Sequence, residues 1–135
     1  MNNFVYGNDH FQNYETICGG TGAGPDFHGT SAVHSHMTNT RMTDPRSSGD
    51  PFPVRVEEFS IRRGSRGTGA HNGGDGIVRR LRFLEPVKVT VLSSHRRVAP
   101  HGMAGGAPGL PGKNSVLRRI RPIQNAIAAM KARLT

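Results

Sequence analysis

Eighteen glycines, most of them gathered into three loop segments, decide what this 135-residue chain can build. The segments run over 19–24, 64–76 and 99–112. Glycine permits φ > 0 and close backbone approach, and it weakens any regular element that contains it. Short strands between irregular loops are what remains. Only 34% of residues are apolar and 6% aromatic, with no tryptophan, so the core must be thin. The length fits one domain. Nine prolines accompany the glycines without any period, which excludes collagen-like and simple low-complexity readings.

The stretches between the loops carry the strand signal. Residues 54–62 alternate, with an irregular step at Glu57-Glu58 that fits a bulge. Residues 77–83 predict a second strand. Residues 87–93 predict a third, with Val87, Val89 and Val91 on one face and Lys88 and Thr90 on the other. The short link Leu84-Glu85-Pro86 predicts that the second and third pair antiparallel. Tyr14 to Ile17 reads as a short strand end feeding the first glycine loop, and residues 1–13 as an irregular lead-in. Residues 45–53 are turn chemistry. In the last segment Ile123, Ile127, Met130 and Leu134 share one helical face, and Pro122 suits a first helical turn. The expected fold is α+β, β-rich and loop-rich. It has antiparallel strands around 54–62, 77–83 and 87–93 and a C-terminal helix around 122–134.

The formal net charge is +9. Such a balance fits a basic nucleic-acid-binding module or a face that meets an acidic subunit. Several arginines, among them Arg79, Arg80 and Arg82, alternate with apolar residues as on a solvated strand face. No stacking aromatics are interleaved with them, which favours the protein partner over nucleic acid. Cys18 is the only cysteine, so no internal disulfide can form. No apolar run approaches membrane-spanning length, and the N-terminus lacks the features of a secretory signal. The cytoplasm is the expected location.

Functional groups concentrate near the front of the chain. Gly19, Gly20 and Gly22 could present backbone N–H groups to an anion or a polar substrate. The loop is neither a Walker A motif nor a dinucleotide fingerprint, and an ordinary surface turn is the competing reading. His34 and His36 would share a face on a strand, and Asp44 could add a hard ligand. No third ligand stands at diagnostic spacing, so a pair of histidines contacting substrate or a neighbouring loop competes with a metal site. Thr38, Asn39, Thr40, Arg41, Thr43 and Asp44 surround one cation with donors and acceptors. This suits recognition of a carboxylate or amide with Arg41 as the fork, or equally a capped turn. Cys18 reads either as a nucleophile or, more commonly for its type, as a small buried thiol. His71, His95 and His101 read as structural or solvent-facing.

One ordered set of motifs runs through most of the chain. It begins with Tyr14-Glu15-Thr16-Ile17, Gly19-Gly20-x-Gly22-Ala23 and Val33-His34-x-His36-Met37-Thr38-Asn39-Thr40. It continues through Thr43-Asp44, Pro53-Val54-Arg55 and Gly73-Gly74-Asp75-Gly76. Ser93-x-x-Arg96-Arg97 and Pro100-x-Gly102-x-x-Gly105-Gly106-x-Pro108-Gly109 complete it. This set resembles the hydantoinase B / 5-oxoprolinase family. The resemblance implies one half of an ATP-dependent cyclic amide hydrolase, of the 5-oxoprolinase or N-methylhydantoinase type. In that implied mechanism ATP phosphorylates the amide oxygen, and water then attacks the activated imidate. ATP is bound by a partner, the hydantoinase A-like ATPase subunit or domain, and not by this chain. The resemblance extends to a divalent metal in the complete enzyme, for which His34, His36 and Asp44 are the candidates here. Substrate contacts are expected from Gly19, Gly20, Gly22, His34, His36, Thr38, Asn39, Arg41 and Asp44. The family's Glu after Thr-Asp-Pro is replaced by the run Arg46-Ser47-Ser48-Gly49, and Arg66 stands where glycine is usual. Residues 1–117 are expected to be a C-terminal fragment of a hydantoinase B-like domain, and 118–135 a divergent helical tail. The isolated chain is expected to be inactive. A catalytically inactive assembly subunit and a basic nucleic-acid-binding module are the alternatives.

Overall fold

A computed structural model describes residues 2–35, 38, 52–118 and 130–134. Seven strands appear: β1 (Asn2–Gly7), β2 (Gln12–Ile17), β3 (Val54–Arg62), β4 (Gly76–Phe83), β5 (Lys88–Ser93), β6 (Asn114–Arg118) and β7 (Met130–Leu134). They form two antiparallel sheets, one ordered β2-β1-β5 and the other β3-β4-β7-β6.

The core forms where the inward faces of the two sheets meet. Phe4 and Tyr6 come from β1, Ile17 from β2, and Ile77, Leu81 and Phe83 from β4. Phe4 and Phe83 are fully buried, and the rings of Tyr6 and Phe83 meet edge-on with centroids 5.1 Å apart. Val54 and Val56 of β3 and Val89 and Val91 of β5 close the sides. Lys88 and Thr90 face outward, so the expected alternation along β5 holds.

Strand β3 spans the expected residues, and its register shifts between Val56 and Glu58, where the sequence predicts a bulge. Four expectations are corrected. The lead-in 1–13 contains β1, the middle strand of its sheet, and the start of β2. Its signal is faint because only Phe4 and Tyr6 mark the inner face among asparagines. Next, β4 and β5 do not pair with each other: β4 lies between β3 and β7, and β5 crosses to β1. The link is held as a crossover. Leu84 N–H donates to Pro53 O at 2.8 Å, Asn8 Nδ2 donates to Glu85 Oε1 at 2.6 Å, and Pro86 has no N–H with which to continue a ladder.

The third correction concerns the C-terminal helix and with it the α+β class. Among the described residues there is no helix, and Met130–Leu134 is a strand that fills the gap between β4 and β6. Backbone pairing on both sides outweighs the helix propensity of Met, Lys, Ala, Arg and Leu, which amounts to tenths of a kcal/mol per residue. Residues 122–129 of the expected helix lie outside the described residues, as does the turn segment 45–51. The observed class is a small β-rich fold.

The fourth concerns Arg79, which is not on a solvated face. On β4 it points the same way as Ile77, Leu81 and Phe83, and it is 3% exposed. It meets Glu15 on the inward face of β2 through two bonds, Nε to Oε1 at 3.1 Å and Nη2 to Oε2 at 2.8 Å. The Phe59 ring lies 5.6 Å from the guanidinium carbon. Burial pushes the Glu15 carboxyl above the usual carboxylate value, against the opposing pull of Arg79.

Candidate functional site: three interlocked glycine loops

All three glycine-rich segments leave strand ends on the same side and tie into one another. The first loop, 18–35, follows β2. It folds back on itself through Thr21 N–H to Thr30 O at 3.0 Å and Val33 N–H to Gly19 O at 3.0 Å. The second loop, 63–75, docks against it. Gly74 N–H donates to Thr21 O at 2.9 Å and Gly29 N–H to Asn72 O at 2.8 Å, while Asn72 N–H donates to His28 Nδ1 at 2.8 Å. The third loop, 94–113, joins through Ala107 N–H to Thr68 O at 2.7 Å and Leu110 N–H to Ser65 O at 2.9 Å.

Glycine is required where two backbones nearly touch. A Cβ on Gly20 would stand 2.1 Å from Gly74 O, and one on Gly74 would stand 2.0 Å from Thr30 O. Gly19 and Gly22 differ, since a Cβ on either meets nothing within 4 Å. Asp75 pins the seam from inside. Its Oδ1 accepts Arg66 N–H at 3.0 Å, its carbonyl accepts Ala32 N–H at 2.9 Å, and its own N–H donates to Ser31 Oγ at 2.9 Å. Arg66 Nη1 lies 3.9 Å from the other carboxylate oxygen.

The loops enclose a cleft of about 940 Å³. Gly19, Gly20 and Gly22, expected as site residues, line it together. Ser35 lines it as well, and the Thr38 hydroxyl donates to Ser35 O at 2.9 Å, which is the capped-turn role. His34 is not a lining residue. Its two ring nitrogens are buried with no hydrogen-bond partner among the described residues, and burial lowers its pKa, which keeps the imidazole neutral. His36, Asn39, Arg41 and Asp44 lie outside the described residues, as do Thr40 and Thr43.

Sequence reasoning missed the basic lining. Arg62, Arg96, His71, His95 and His101 all face the cleft. The available signal was position: each sits in a glycine loop or at its junction with a strand. Among the described residues no Asp or Glu lines the cleft, and no group of three or more His, Cys, Asp or Glu is arranged to hold a metal. Cys18 borders the cleft but is 6% exposed, and burial pushes its thiol up. A protonated thiol is a poor nucleophile, so the buried-thiol reading holds.

The sequence that forms these loops and strands is similar to known proteins. The profile of the hydantoinase B/oxoprolinase family matches residues 1–134, and the chain belongs to that family. It is similar to 5-oxoprolinase 1 of Arabidopsis thaliana, at 50% identity over 119 residues, which is 88% of this chain and 9% of that protein. It is equally similar to the 5-oxoprolinase of Dictyostelium discoideum, at 50% over 118 residues, 87% of this chain and 9% of that protein. The 5-oxoprolinase of Saccharomyces cerevisiae is 44% identical over 114 residues, 80% of this chain and 9% of that protein. The chain thus spans about a tenth of the length of the 5-oxoprolinases it matches. No solved structure matches it. No helix among the described residues is long and apolar enough to cross a membrane.

Proposed function

We propose that this chain is a substrate-site portion of an ATP-dependent cyclic amide hydrolase of the 5-oxoprolinase or N-methylhydantoinase type. The observation that supports this reading is the 50% identity to two 5-oxoprolinases over 88% and 87% of the chain. In this reading the cleft forms one wall of the pocket that holds the ring. Gly19, Gly20 and Gly22 bring backbone close to the substrate, while His34, His36, Thr38, Asn39, Arg41 and Asp44 add polar contacts.

ATP belongs to the hydantoinase A-like partner subunit or domain. The first glycine loop runs from β2 back to its own bridge at Gly19 and Val33, and no Gly-Lys-Ser/Thr follows it, so it lacks the Walker A pattern. For a divalent metal, the neutral imidazole of His34 with its orphaned nitrogens fits a ligand role, and His36 and Asp44 would complete the set. Such a metal would polarise the amide carbonyl. This chain's own task is to hold and orient the ring.

The reading is tested in a chimera. Residues 1–118 of this chain replace the matching segment of the Arabidopsis 5-oxoprolinase, and 5-oxoproline-dependent ATP hydrolysis is measured. Activity is expected in the chimera and none in the purified 135-residue chain alone. A folded chimera without activity, or turnover by the lone chain, overturns the reading.

A further inference from the structure

The basic lining of the cleft is uneven in a way that points to a ligand. Arg66 has its charge answered within the protein, by Asp75. Arg96 does not. Its Nε donates to Asn114 Oδ1 at 3.0 Å, Nη1 to Ser94 O at 2.9 Å and Nη2 to Asn2 Oδ1 at 2.9 Å. All three acceptors are neutral. They fix the guanidinium in one orientation and leave its charge intact. Arg62 ends β3 beside it, with Nη1 donating to another neutral acceptor, Pro111 O, at 2.9 Å. Burial first, and then the Arg62 charge, lower the pKa of Arg96, so the two cations oppose each other in half-buried surroundings. Among the described residues no carboxylate lines the cleft that both face.

Two like charges held together without a counter-ion are unfavourable unless something anionic joins them. A guanidinium fork positioned in advance is the group that recognises carboxylate or phosphoryl oxygens, and little side-chain freedom is lost when the ligand arrives. Glycines on the facing loops leave room for close approach.

We propose that Arg62 and Arg96 form an oxyanion subsite in the three-loop cleft, which takes the anionic group of the substrate. The subsite rests on reading this cleft as the substrate pocket. It places the charged end of the ligand opposite β3 and the third loop. A carboxylate on the ring and a phosphoryl group share this chemistry, and different probes separate them.

The test measures binding to the full chain at fixed ionic strength, with inorganic phosphate, 5-oxoproline and its neutral carboxamide as probes. The anionic probes are expected to bind and the carboxamide to bind far less. Arg62→Gln should weaken anion binding about tenfold, as expected for loss of one charge-assisted contact. Arg63→Gln removes the same charge from an exposed neighbour outside the cleft and should leave binding unchanged. Asn114→Asp guards against a folding defect, because it keeps an acceptor for Arg96 and neutralises the cation, and it should also abolish most of the binding.

Wild-type affinity in both Arg62→Gln and Asn114→Asp overturns the subsite. Equal weakening by Arg63→Gln also overturns it, since that marks diffuse charge, and so does failure of both anions to bind. Arg62-dependent binding of phosphate without binding of 5-oxoproline keeps the subsite and removes the ring-substrate reading. Binding of 5-oxoproline that ignores Arg62 does the reverse.

Discussion

Arg79 and Arg96 sit in two regions of this molecule that treat a guanidinium in opposite ways. Between the sheets, Arg79 is 3% exposed and meets the two carboxylate oxygens of Glu15 at 3.1 and 2.8 Å. In the cleft, Arg96 is held as firmly, but by two side-chain amides and a backbone carbonyl. The first arrangement completes a fold, because its charge is balanced where it stands. The second is complete in geometry and incomplete in charge. The difference separates a residue that holds two strands together from one poised for a ligand, although the sequence shows only an arginine in each place.

The largest expected effect breaks the first half of that comparison. Glu15→Ala should cost about 3–5 kcal/mol, because it leaves the buried Arg79 charge uncompensated. That is a large part of the stability of a small domain. Replacing both partners by leucine should recover most of the loss, since a well-packed apolar pair of similar volume is often neutral or better. Urea unfolding of the three proteins checks this. A cost below about 1 kcal/mol for Glu15→Ala would class the pair with surface ion pairs and remove the contrast.

A second test contrasts glycines within one loop. Gly20→Ala forces a methyl to 2.1 Å from Gly74 O, and Gly22→Ala places one in open space. The first should lose about 1–3 kcal/mol, the usual range for overpacking against a structure that cannot yield. The second should stay within about 0.5 kcal/mol of wild type, as surface substitutions do. Thermal unfolding of both variants reads the difference. Equal midpoints would mean that the seam between the first two loops is not closed in solution.

What could be read from the sequence divides along the same line. Strand β3 with its bulge was legible because Val54, Val56, Phe59 and Ile61 impose a pattern that only a half-buried strand satisfies. Strand β1 was not, since two aromatics among asparagines make too short a pattern, and its central place depends on partners far along the chain. For β7, local propensity pointed to a helix and pairing with β4 and β6 decided otherwise. In the cleft, Gly19, Gly20 and Gly22 were legible as a loop that admits close approach. The roles of Arg62 and Arg96 were not, because they follow from what surrounds each cation: Arg96 depends on Asn2 and Asn114, which come from β1 and β6. No spacing rule connects residues 94 positions apart.

The smallest expected effect concerns His34, which is not a lining residue of the cleft. Both of its ring nitrogens are buried without a partner among the described residues, and burial lowers its pKa from the ordinary value of 6.5. The folded state therefore takes up this proton less readily than the unfolded chain does. The sign follows from linkage: stability is full above the ordinary value and falls as the pH drops through it, because the unfolded chain then binds the proton more readily. Unfolding midpoints recorded from about pH 7.5 down to about pH 5, across the range where histidine titrates, should fall more steeply for wild type than for His34→Gln. The variant serves as the control for every pH-dependent contribution that the two proteins share. Parallel curves would show that the imidazole reaches solvent or a carboxylate, and so that its nitrogens are not left alone in the fold.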